Sequence, residues 1–129
     1  PGAVEQAIRK SRQGGAPVYM YLFTWESPVL DGILRSTHCM EIPFVFNNAS
    51  RHSSMTGGGP EALELASKMS RCWANFARTG KPSAEGLPEW EPFECNNRAT
   101  MFFDNVCKVT CNHDKELIDF TMRYPVRGF

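Results

Sequence analysis

18-VYMYLFTW-25 is an almost unbroken apolar and aromatic run. Its length and its aromatic and β-branched content predict a β-strand covered on both faces. Such a strand belongs inside a larger α/β sheet and needs neighbours on both sides. A short amphipathic helix is predicted just before it. Over residues 2–13, Val4, Ala7, Ile8 and Ser11 share one face, while Arg9, Lys10 and Arg12 lie largely elsewhere. Gly14 and Gly15 stop that helix and Pro17 prevents its resumption. Helix followed by covered strand suits a βαβ arrangement.

Downstream, residues 27–59 read as mostly irregular, with short extended or helical pieces. The clearest element follows at 60-PEALELASKMSRCWANFAR-78. Here Ala62, Leu65, Ala66, Met69, Cys72, Trp73, Phe76 and Ala77 form one stripe at helical spacing. Pro60 suits the first turn, Glu61 and Glu64 favour the positive end of the helix dipole, and Gly80 is placed to cap. After a Pro/Gly/Ser-rich connector at 81–88, Trp90 and Phe93 are expected to pack the chain back onto the body. The segments 99-ATMFF-103 and 106-VCKVTC-111, joined at Asp104-Asn105, predict a hairpin or two edge strands. Asn112 or Asp114 is expected to cap a last helix through about Tyr124, with Leu117, Ile118, Thr121 and Tyr124 on one side. One covered strand, one long helix and an edge hairpin make an incomplete sheet, which predicts a piece of a longer fold.

Composition bounds the chemistry. In 129 residues the 14 basic and 14 acidic side chains balance, and no basic stripe marks a phosphate backbone. Nucleic acid and anionic membrane are therefore not expected partners, and no apolar run approaches the length of a membrane span. Five cysteines, an odd number, favour reduced thiols and a cytoplasmic location over a disulfide framework. No leader is visible, and the chain begins at Pro1 without an initiator methionine, again as a piece of something longer would.

Chemistry centres on 34-LRSTHCMEIPFVFNN-48, which puts His38 on a turn with Glu41 three residues later and a dense apolar run behind. That resembles a general base on a loop, but its nucleophile is missing. No serine has a glycine two before it and two after it, the pattern of a nucleophile elbow. Cys39 adjoins His38, and adjacent side chains rarely meet in nucleophile–base geometry, so Cys39 reads as a small buried hydrophobe. Cys107, Cys111 and His113 lack the paired C-x2-C spacing of a zinc site, and a core reading is preferred. Gly57-Gly58-Gly59 has neither the lysine of a phosphate loop nor the histidine of an H-G-G-G loop, and reads as a flexible lead into the helix at Pro60. His52 reads as a solvated loop residue and His113 as a capping or surface residue.

Y-x-Y-x-F (Tyr19, Tyr21, Phe23) followed by H-x-x-E-I-P-F-V-F (His38 to Phe46) resembles the end of the type B carboxylesterases. These are the α/β-hydrolases that include bacterial para-nitrobenzyl esterases and the cholinesterases. Met69-x3-Trp73-x2-Phe76-Ala77-x-Thr79-Gly80-x-Pro82 is similar to the family's helix and cap. Trp90-x2-Phe93 and 101-MFF-103 are similar to its terminal strand region. The pieces occur in the family's order, cover residues 16 to 104 well and the tail loosely, and suit the bacterial branch better than the animal one.

The resemblance implies an α/β fold, the C-terminal part of an α/β-hydrolase fold. Residues 1–129 would then be a segment of a catalytic domain, not a complete one. It implies that His38 is the histidine of a Ser–Glu/Asp–His triad, with Glu41 helping to hold its loop; a plain surface carboxylate at Glu41 stays open. The elbow serine, the oxyanion loop and the triad acid would lie upstream of Pro1, so Glu26 and Asp31 are not assigned. Arg35-Ser36-Thr37 stands where the family often has small residues such as glycine. The implied substrate is a small-molecule carboxylic ester, with no metal or other cofactor. The isolated chain should be inactive and should self-associate along the edge of 18-VYMYLF-23. Two other readings stand beside this one: a hydrolase-derived binding or adhesion module without catalysis, and a small zinc domain built on Cys107, Cys111 and His113.

Overall fold

The structure, a computed structural model, describes residues 2–124. Helix α1 spans Gly2–Gln13 and buries Ala7 and Ile8, as the apolar spacing predicts. It ends where Gly14 and Gly15 take φ of 69° and 90°, a region that side chains rarely enter.

Strand β1, Met20–Phe23, is shorter than the apolar run that contains it. Thr24 and Trp25 leave the ladder, and both donate their N–H to the carbonyl of Phe103, at 2.9 and 3.1 Å. The side chains alternate as a strand requires. Tyr19, Tyr21 and Phe23 pack on the main core, while Val18 and Met20 pack on a smaller cluster of Ala7, Ile8 and Phe93. Both faces are thus contacted, although Leu22 remains 41 % exposed.

The sheet has the order β1-β2-β3, with β2 at Thr100–Phe103 and β3 at Lys108–Thr110. β1 and β2 run parallel from Met20↔Thr100 to Phe23↔Phe103, and β2 pairs antiparallel with β3 in the expected hairpin. The neighbours expected on both sides of β1 are therefore found on one side. Among the described residues, β2 is its only ladder partner.

A parallel pair needs a crossover, and helix α4, Pro60–Thr79, is its main element. It buries Ala62, Leu65, Ala66, Met69 and Cys72. These meet Met101 and Phe103 from the sheet, together with Trp90, in the main core. Gly80 ends the helix at φ 74°, donating its N–H to the Phe76 carbonyl at 2.8 Å. Trp73 is half-buried while Phe76 and Ala77 are exposed, so the expected stripe loses its cover in the last turn. Trp90 and Phe93 are buried, as expected of the connector's return.

Helix α5, Lys115–Arg123, follows Asp114. Asp114 has φ 46° and makes no side-chain capping bond. Its backbone carbonyl accepts from Ile118 N–H at 2.8 Å instead. The expected inward face is partly corrected. Ile118 and Thr121 are half-buried, but Leu117 and Tyr124 are exposed, and Met122 packs on the smaller cluster. The Arg98–Asp119 ion pair at 2.7 Å fixes which side of α5 meets the body. No helix among the described residues is long and apolar enough to cross a membrane.

Candidate active-site segment

The C-terminal ends of the two parallel strands are tied together. Thr24 Oγ1 donates to Asp104 Oδ2 at 2.9 Å, and Trp25 Nε1 donates to Asn105 Oδ1 at 3.0 Å. In open α/β sheets the carboxyl ends of the strands are where ligands bind. The chain leaves β1 at this end, swings out through residues 26–35 and returns. Ser27 N–H donates to the Arg35 carbonyl at 3.2 Å, and Ser36 Oγ donates to the Trp25 carbonyl at 2.6 Å. An exposed Arg35–Glu26 pair at 2.7 Å adds little at such a surface. Arg35 has φ 48°, the left-handed region that glycine enters freely.

His38 follows on an exposed turn closed by Met40 N–H donating to the Thr37 carbonyl at 3.1 Å. Behind it the chain is anchored. Met40 and Phe44 are each 0 % exposed. The Phe44 ring lies 5.0 Å from both Phe23 and Trp25. Phe44 belongs to α2, Ile42–Val45, a single helical turn that packs on α4. The dense apolar run behind His38 thus anchors the chain through fewer residues than it contains, with Pro43 and Phe44 buried. A helical turn brings residues four apart onto one face, so Ile42 and Phe46 both face outward, Phe46 at 72 % exposure.

Two buried hydroxyls brace the underside of this region. Ser27 Oγ donates to the Met55 carbonyl at 2.5 Å, and Thr56 Oγ1 donates to the Ala49 carbonyl at 2.8 Å. Neither stood out in the sequence, because a loop hydroxyl that will be buried has the same local pattern as one left in water. Gly57 does more than loosen the approach to α4. It caps α3, Ser53–Thr56, at φ 70°, and a Cβ there would sit 2.9 Å from the Pro28 ring. The glycine lets the two loops close on one another.

Glu41 is half-buried and precedes α2, where its backbone carbonyl accepts from Phe44 and Val45 N–H, each at 3.0 Å. Burial, and after it the charge of Glu41, push the Tyr21 hydroxyl above its ordinary value. Cys39 is half-buried with φ 67°. His52 is exposed, its Nδ1 3.1 Å from the Asn48 carbonyl.

Cys107, Cys111 and His113 are turned to different surroundings. Cys107 packs on the main core with its Sγ 3.3 Å from the Asp104 carbonyl, and burial pushes its thiol up. Cys111 is exposed, and His113 stands edge-on to Phe102 at 4.7 Å and 3.1 Å from Asp114. Among the described residues no group of three or more His, Cys, Asp or Glu could hold a metal ion.

Residues 3–121 match the Carboxylesterase family. The chain belongs to the carboxylesterase family. Carboxylesterase 5A of Canis lupus familiaris is 40 % identical over 100 residues, covering 72 % of this chain and 17 % of the dog protein. Para-nitrobenzyl esterase of Bacillus subtilis is 30 % identical over 115 residues, covering 88 % of this chain and 23 % of the bacterial one. A solved structure, described as an esterase from anaerobic Clostridium hathewayi that can hydrolyze aliphatic aromatic polyesters, superimposes with a TM-score of 0.80 at 32 % identity. That match covers 94 % of this chain and 24 % of the other. This carboxylesterase-family chain therefore spans about a quarter or less of the length of these relatives. Its three-stranded sheet and helices are part of an α/β-hydrolase fold, and its family is one of ester hydrolases.

Proposed function

We propose that this chain is the C-terminal segment of an α/β-hydrolase catalytic domain that hydrolyses small-molecule carboxylic esters, and that His38 is its general base and then its general acid. One observation carries the reading. His38 is exposed on a turn that follows the C-terminal end of a parallel strand pair, two residues before a fully buried Met40.

The chemistry that fits this position is acyl transfer in two halves. A serine hydroxyl supplied by the rest of the domain attacks the ester carbonyl carbon while the imidazole of His38 takes the hydroxyl proton. The tetrahedral intermediate collapses, the C–O bond to the alcohol breaks, and His38 returns the proton to the departing oxygen. Water then repeats the sequence on the acyl-serine, with His38 again taking and returning one proton. Glu41 acts by holding the loop, where its backbone carbonyl accepts from Phe44 and Val45 N–H. The backbone donors that stabilise the oxyanion lie elsewhere in the domain, so this chain supplies a base without a nucleophile.

The test is turnover of a p-nitrophenyl ester by the isolated chain and by the longest polypeptide encoded with it. Activity in the longer protein and none in the isolated chain is the expected result. Robust turnover by the isolated chain that disappears in His38→Ala would sink the segment reading. The encoded upstream sequence separates the enzyme from a binding module: an intact elbow serine favours hydrolysis, a replaced one favours binding. Alone, the chain is expected to self-associate along β1, which a rise in sedimentation coefficient with concentration would report.

A further inference from the structure

We propose that the turn at residues 37–40 is the device that aims His38, and that Cys39 is a positioning residue which acts through its left-handed backbone and not through its thiol. The inference rests on the reading of His38 as general base.

The hydrogen bond from Met40 N–H to the Thr37 carbonyl, 3.1 Å, closes a four-residue β-turn with His38 second and Cys39 third. Cys39 has φ 67°, while His38 is not among the residues of positive φ. A positive φ at the third position alone is the mark of a type II turn. That position ordinarily holds glycine or asparagine, because a Cβ there crowds the following carbonyl oxygen. The same four residues could close as a type I turn, with the same hydrogen bond and a φ of about −90° at Cys39, free of that crowding. The fold selects the costlier form.

Both sides of the turn are fixed. Before it, Ser36 Oγ is bonded to the Trp25 carbonyl at 2.6 Å. After it, Met40 is 0 % exposed, and Ile42 N–H donates to the Cys39 carbonyl itself at 3.3 Å. A sparsely populated backbone conformation persists where its surroundings over-determine it, and such residues gather at functional sites. They gather here: Leu30, Asp31, Arg35, Cys39 and Asn47 are five of the eight non-glycine residues with positive φ among the described residues. The two turn types differ by a rotation of the peptide between His38 and Cys39, which takes ψ of His38 from about +120° to about −30°. The rotamers open to a side chain depend on the φ and ψ of its residue, so the turn type decides where the exposed imidazole points. A base must lie within hydrogen-bond reach of the proton it takes, and the left-handed backbone at Cys39 thereby bears on proton transfer without touching the substrate.

The test is kcat and KM, measured separately for a p-nitrophenyl ester, in the longest polypeptide encoded with the chain. Three variants are compared with wild type. Cys39→Gly enters the left-handed region freely, Cys39→Ser keeps an unbranched Cβ and loses the thiol, and Cys39→Val carries a branched Cβ that the region rejects. The glycine and serine variants should keep kcat within about threefold, while Cys39→Val should lower kcat by about 100-fold with KM little changed. Wild-type kcat in a folded Cys39→Val protein would overturn the proposal. So would a loss in Cys39→Gly as deep as in Cys39→Val, or a loss in Cys39→Ser, which would point to the thiol. Where Cys39→Val fails to fold, magnetic resonance on wild-type protein labelled at histidine and cysteine decides. A short distance from the His38 Hα to the Cys39 N–H marks the type II turn, and a short distance between the two N–H groups marks type I and overturns the proposal. Failure of the base reading looks different: His38→Ala as active as wild type would remove the general base and leave the type II turn standing.

Discussion

Around His38 the local sequence and the fold carry different kinds of information. The histidine, its turn and the carboxylate three residues later were legible because the motif is contiguous. The exposure of His38 against the complete burial of Met40 was not, because it depends on Phe23 and Trp25 arriving from β1. Ser27 and Arg98 were silent for the same reason, since their partners, Met55 and Asp119, lie far along the chain. Phe44→Ala tests the anchor. It should cost about 3–5 kcal/mol in urea unfolding and disturb the His38 turn; a loss below about 1 kcal/mol would show that the turn does not depend on that ring. The thiols give a second check. Burial pushes the Cys72 thiol up to about 11, burial also raises Cys107, and Cys111 is exposed. Because the thiolate is the reactive form, a disulfide reagent at mildly alkaline pH should modify Cys111 first and Cys72 last in the native protein. Early modification of Cys72 would contradict the packing of α4.

At the scale of elements, legibility followed the strength of the period. Helix α4 has both caps and a sustained stripe, and it forms over Pro60–Thr79 with its predicted glycine stop. Gly80→Ala should lower stability by about 1 kcal/mol, because the cap needs a left-handed backbone. A neutral effect would mean the helix end tolerates a different cap. The apolar run at residues 42–46 has no readable period, and it resolves as one helical turn that buries Pro43 and Phe44 only. Helix α5 was read with part of its face wrong, because tertiary contact through Arg98–Asp119 decides its orientation. Hydrogen bonds from Lys115, and then from Arg98, hold the Asp119 carboxyl below its ordinary value. A depressed carboxyl stabilises above the unfolded value, about 3.9, and that contribution is lost as pH falls through the lowered value. Acidification should therefore loosen α5 in the native protein, and Asp119→Asn should remove the pH dependence while leaving α5 looser throughout. A wild-type α5 whose amide exchange does not respond to acid, once corrected for intrinsic rates, would contradict this.

At the scale of the whole molecule, the sequence inventory already showed one strand in want of neighbours. The fold makes that concrete: among the described residues the sheet has the order β1-β2-β3, and β1 is paired on one side only. The apolar run predicted a strand covered on both faces; what could not be read from it is which elements cover them, α4 on one side and the α1 cluster on the other. Those contacts join residues tens of positions apart, and no local pattern encodes them. The chain thus has a core of its own and an open edge, which suits a segment that folds against a larger body. The central claim is that His38 performs the proton transfers of ester hydrolysis for that body. The direct measurement is kcat/KM for a p-nitrophenyl ester in the longest encoded protein, wild type against His38→Ala, with circular dichroism to check the fold. The account predicts a fall of about four orders of magnitude or more with the fold retained; turnover close to wild type in a folded His38→Ala protein would take His38 out of the mechanism.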